Sequence, residues 1–156
     1  MESGTQVRIA LKYGLLITLG GIAWVVIAHL LVPDPGSPVH RFGAGIFFNI
    51  LQIAGIYLAI ATLKKESGDQ VIFKAGVKTG LATAFVYAFS FCLFFVVALL
   101  VVGPGLMASE PDTQNLSVWQ RALFAFVSLF LGSLIFGLIY STLISFFLAK
   151  RMSRPT

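Results

Sequence analysis

Four long apolar stretches separated by short polar ones set the pattern of this chain. They run about Tyr13–Val32, Phe42–Leu63, Gly80–Val102 and Ala122–Ala149, and none contains an Asp, Glu, Lys or Arg. A hydrocarbon core about 30 Å thick takes about 20 helical residues to cross, so each stretch can span. The pattern predicts an all-α integral membrane four-helix bundle made of two antiparallel helical hairpins. These form one domain over residues 13–149, between a short N-terminal segment (1–12) and a basic tail (150–156).

The connections are read from helix-breaking residues. Pro33, Pro35 and Pro38 with Gly36 crowd the first one; proline lacks the amide hydrogen and disfavours helix in the residue before it. So short a link makes the first two helices a hairpin. The second connection, Lys64-Lys65-Glu66-Ser67-Gly68-Asp69, is equally short and polar. Residues 70–79 are ambiguous, with Lys74 and Lys78 four apart on one helical face, and are expected to form an interfacial turn running on into the third span. The longest connection runs from Gly103 to about Arg121; Gly103-Pro104-Gly105 ends the third helix, and Trp119 is placed as an interface anchor.

Charge then orients the hairpins. Of eleven Lys and Arg, an alternating path puts Arg8, Lys12, Lys64, Lys65, Lys74, Lys78, Lys150, Arg151 and Arg154 on one side and only Arg41 and Arg121 on the other. By the positive-inside rule both termini are cytoplasmic, and the six acids divide evenly because acids contribute little to orientation. The net charge of +5 is thus a topology signal and an attraction to anionic membrane surface, and calls for no nucleic acid. The first span has a basic lead, yet its apolar run exceeds a signal peptide's core and no small-x-small cleavage pattern follows, so it is expected to be retained.

Composition narrows the class further. The chain is 58% hydrophobic and 11% charged, with mean hydropathy +0.93. A soluble domain carries about 25% charged residues, so too little polar surface is present to clothe a water-soluble globule. Fifteen Phe against two Trp and four Tyr is a lipid-facing balance. The single Cys92 has no partner for an intramolecular disulfide and reads as a small apolar residue.

Few residues carry candidate chemistry. Asn49 and Gln52, three apart on the second span, share a face that Gly45 and Ile56 extend. An amide without a partner is costly in hydrocarbon, so both are expected to point into the bundle. They read as interhelical hydrogen-bonding contacts or, with Tyr87 and Tyr140, as a candidate polar path for a solute. On the fourth span Ser133, Gly137, Ser141 and Ser145 recur every fourth residue, with Ser128 and Gly132 on an adjacent stripe, and Gly76 and Gly80 repeat the interval in the third. Small residues at this spacing let helix backbones approach closely, within a chain or between subunits. His29 and His40 make at most a two-ligand pair, too few for a metal site. No Ser, His and acid combination supports an enzyme, and no catalytic residue, cofactor or metal is expected.

An internal echo links the two hairpins. Lys12-Tyr13-Gly14-Leu15 opens the first span as Lys78-Thr79-Gly80-Leu81 opens the third, and the second and fourth spans end in Lys64-Lys65 and Lys150-Arg151. The echo suggests parallel repeats about an axis along the membrane normal, although any cytoplasmic span start tends to show Lys then Gly.

The same Lys-x-Gly-Leu opening, the short first hairpin and the lead Phe73-Lys74-Ala75-Gly76-Val77-Lys78-Thr79-Gly80-Leu81 resemble domain-of-unknown-function family 4199 from about Lys12 to Arg151. That resemblance implies four helices in a bacterial inner membrane and supplies no catalytic residues. Two classes of function are therefore expected. One is a non-enzymatic accessory or scaffold protein whose partners are membrane lipids and other membrane-protein subunits or copies of itself. The other is a small transporter or channel subunit using the Asn49 and Gln52 face.

Overall fold

The computed structural model describes residues 2–31, 43–102 and 117–149. Four helices account for nearly all of them: α1 (Glu2–Leu31), α2 (Ala44–Glu66), α3 (Phe73–Val102) and α4 (Val118–Leu148). Each is long and apolar enough to cross a membrane. The fold is all-α. The connection after α1 with His40, most of the connection after α3, and the basic tail with Lys150, Arg151 and Arg154 lie outside the described residues.

All four helices begin or end away from the limits that hydropathy alone sets. α1 starts eleven residues before the apolar run, and Ile9 and Ala10 in that lead are buried at 2% exposure. The lead is therefore part of the packed helix. α3 starts at Phe73 and continues unbroken through Gly80, as expected for the turn carrying Lys74 and Lys78. α4 starts at Val118, ahead of Ala122, because Ser117 and Gln120 form a capping box: the Ser117 hydroxyl accepts from Gln120 N–H, and the Gln120 side-chain oxygen accepts from Ser117 N–H at 2.9 Å. At the other end of the α2–α3 link, Gly68 takes φ +69° and the Asp69 N–H donates to the Lys64 carbonyl. This left-handed turn closes α2 after its basic last residues.

Chain direction alternates, and the cross-helix pairs fix how the helices meet. Arg8 with Glu66, Tyr13 with Thr62 and Trp24 with Phe47 run α1 antiparallel to α2. Gly76 against Ser145, Gly80 against Ser141 and Gly137 against Ala84 run α3 antiparallel to α4. The two hairpins then dock side by side, α1 along α3 and α2 along α4, both pairs parallel. α2 also packs on α3 across the short diagonal, while α1 and α4 make no comparable contact. A two-fold about the membrane normal would exchange those two diagonals and make them alike. The hairpins are consequently offset relative to a two-fold pair, whatever the origin of the sequence echo.

The core sits where small side chains admit the neighbouring backbone. Ile56, Ile60 and Ala84 are fully buried between α2 and α3, with Tyr140, Ile144 and Leu148 of α4 packed on them. Ile17, Tyr87 and Phe91 form a second cluster between α1 and α3. Gly55 admits Ile17 of α1 so closely that a Cβ there would overlap it. By contrast α4 is peripheral: 33% of the most apolar stretch of each other helix is buried, but only 6% of that of α4.

Candidate functional site

The most polar part of the helical interior gathers residues from α2, α3 and α4. Gln52, at 4% exposure, donates from its amide nitrogen to the Ser133 carbonyl at 2.8 Å. Asn49 lies one turn earlier and half-buried; its amide donates to the Gly45 carbonyl at 2.7 Å, and its side-chain oxygen accepts from the Tyr140 hydroxyl at 2.5 Å. Tyr140 reaches Asn49 because helical side chains lean toward their own N-terminus, which carries the ring back along α4. Tyr87 of α3, 3% exposed, lies beside the Ser133 side chain. The four residues of the candidate polar path, Asn49, Gln52, Tyr87 and Tyr140, are thus brought to one level.

Their bonding shows what the cluster does locally. Both amides direct a donor at protein carbonyls, and the Asn49 oxygen is occupied by Tyr140. Polar groups in an apolar interior are tolerated when partnered in this way. The cluster contains no ionisable carboxylate, histidine or cation, so it offers hydrogen bonding without charge.

The small-residue stripe lies beside it. Gly76 faces the Ser145 hydroxyl, Gly80 the Ser141 Cβ, and Gly137 the Ala84 Cβ, and a Cβ on Gly80 or Gly137 would overlap its neighbour. Ser141 and Ser145 are fully buried; Ser133, next on the stripe, is part of the polar cluster. These residues therefore form the α3–α4 seam within one chain. Ser141 donates to the Leu138 carbonyl, whereas the hydroxyls of Thr79 and Ser145 have no hydrogen-bond partner among the described residues. The adjacent stripe turns away: Ser128 is exposed, and nothing described lies within 4 Å of where a Gly132 Cβ would stand.

Other singled-out residues are placed less centrally. Cys92 is buried and donates weakly to the Phe126 carbonyl at 3.8 Å. The side chain of His29 lies outside the described residues, as does His40. Among the described residues no group of three or more His, Cys, Asp or Glu gathers to hold a metal. Sequence reasoning missed the Arg8–Glu66 pair, 3.0 Å apart, and the Tyr13–Thr62 hydrogen bond of 2.7 Å. Both join α1 to α2 near the basic ends of the helices. Residues 8 and 66 come level only because α1 runs back to Glu2, well ahead of the apolar run, and hydropathy did not show that extension. No family model, curated protein or solved structure matches this chain.

Proposed function

We propose that this chain is a non-enzymatic multi-pass protein of a bacterial inner membrane, an accessory or scaffold subunit that associates with other membrane proteins. Both termini face the cytoplasm in this reading, on the strength of nine Lys and Arg on that side against two on the other. The observation that carries it is the uncovered face of α4. Leu131 and Ile135 there are 52% and 59% exposed, and Ser128 and Gly132 form a small-residue pair with room beside it. Such a pair is a means of close helix approach in lipid, where apolar burial gives no drive for association. Purification in mild detergent, with identification of retained proteins, tests it against Gly132→Leu. Leucine fits the open space, so the fold should persist while a partner bound at this face is lost. An unchanged set of retained proteins would contradict the scaffold.

A second reading is favoured by one observation, the gathering of Asn49, Gln52, Tyr87 and Tyr140 at one level. As a transporter or channel subunit, the chain would carry a neutral polar solute along that face. Solute uptake into reconstituted liposomes that disappears in a folded Asn49→Leu/Gln52→Leu double variant would select this reading over the first.

A further inference from the structure

A groove of about 440 Å³ runs between the parallel helices α1 and α3 near their N-terminal ends. Its walls are Val7, Ala10 and Leu11 on one side and Leu81, Ala82, Phe85 and Val86 on the other, with Lys78 the single charged residue. Sequence explains the hollow. Ala10 and Ala82 leave space where larger residues would fill it, and Gly14 closes the deep end by letting Val86 approach to within 2.6 Å of where its Cβ would stand. The rims are apolar and open, Val7 being 54% and Phe85 51% exposed.

We propose that this groove holds one acyl chain of an anionic phospholipid, with the phosphate against the Lys78 ammonium. Length is the first argument. From Lys78 to Val86 is eight residues of α3, or about 12 Å at 1.5 Å per residue. One leaflet of a hydrocarbon core about 30 Å thick is about 15 Å deep, so the groove matches a single leaflet with its cation at the headgroup end. Charge is the second. No carboxylate lines the groove, Lys78 enters no salt bridge among the described residues, and the exposed Lys74 stands one turn nearer the helix start. A lysine at the interface end of an apolar trough attracts an anionic headgroup while the trough takes the tail. A second cleft, near Glu66 and Gln70, carries a carboxylate and lacks this complementarity.

The inference requires membrane residence but not the scaffold role. Recovery of the chain as a dispersed protein without detergent would remove the membrane reading before any lipid is measured. The test is native mass spectrometry of the protein released from nanodiscs of equimolar phosphatidylglycerol and phosphatidylcholine. Wild type should retain one phosphatidylglycerol in preference to phosphatidylcholine by about five-fold, the factor expected for one lysine at an anionic surface. Lys78→Gln should remove the preference and keep the tail. Ala82→Trp and Leu11→Trp, each filling the trough, should lose the retained lipid, while Leu19→Trp on an exposed face should not. Thermal unfolding of each variant identifies any that fail to fold, and two trough-filling changes keep the test decisive. Equal retention of both lipids by wild type, or retention by the trough-filling variants equal to that of Leu19→Trp, would overturn the proposal. Retention of oleate in place of phosphatidylglycerol would overturn the phospholipid assignment.

Discussion

Asn49 and Gln52 are worth different amounts although both are neutral amides on one face of α2. Gln52 is buried and donates to a carbonyl of α4; Asn49 is less buried but supplies the acceptor for the Tyr140 hydroxyl. Interhelical hydrogen bonds in membranes average about 0.6 kcal/mol. Gln52→Leu should therefore cost about 1 kcal/mol in thermal or denaturant unfolding in detergent. Tyr140→Phe should cost less than Asn49→Leu, because the second change leaves a part-buried hydroxyl without its acceptor. A larger loss in Tyr140→Phe would show that the hydroxyl has a further partner. Cys92 gives a simpler readout: with no solvent exposure, its thiol should resist maleimide in the folded protein and react only after unfolding, followed as mass gain over time.

At the scale of helices, the α3–α4 seam carries the sharpest expectation. Gly80→Leu and Gly137→Leu must push apart backbones that now meet through Ser141 and Ala84. Overpacking of this kind costs about 1–3 kcal/mol. Phe124 and Phe147 are 60% and 80% exposed, so Phe→Leu at either should change stability far less. Equal unfolding temperatures for the two sets would show that the stripe is not where the helices bear on each other. The Arg8–Glu66 pair joins α1 to α2 but is solvent-accessible, with side-chain exposures of 72% and 36%. Exposed pairs contribute about 0–1 kcal/mol, so Glu66→Gln should be nearly silent, and any effect should shrink in high salt.

For the whole molecule, orientation follows from charge and is open to a direct test. A reporter fused after Arg154 should be active only in the cytoplasm and one inserted near Thr113 only outside. Cytoplasmic activity at Thr113 would reverse the assignment. The docking of the hairpins has its own consequence. Since α1 and α4 do not meet substantially, the groove lined by Val7 and Phe85 lies between α1 and α3, while the Ser128 and Gly132 stripe of α4 is left uncovered by the rest of the described chain. Lipid and protein partners would then occupy separate surfaces.

Four helices of spanning length were legible from the sequence alone, because an uncharged apolar run of 20 residues has few other uses. So was the continuation of α3 through Lys74 and Lys78, and the facing of small residues, whose spacing suits only close approach. The true starts of α1 and α4 were less legible. Ile9 and Ala10 are buried by α2 and α3 although they lie in a polar lead, and the Ser117–Gln120 capping box acts ahead of the apolar run. Sequence periodicity says that Gly76, Gly80, Gly137 and Ser141 want a near neighbour, but any helix would serve. Only packing decided that they serve one another, that α1 lies parallel to α3, and that Tyr140 finds Asn49 across 91 residues. In lipid every helix already has its backbone satisfied and its apolar surface solvated, so which faces meet is settled by shape and a few hydrogen bonds, and these exist only once the helices are side by side.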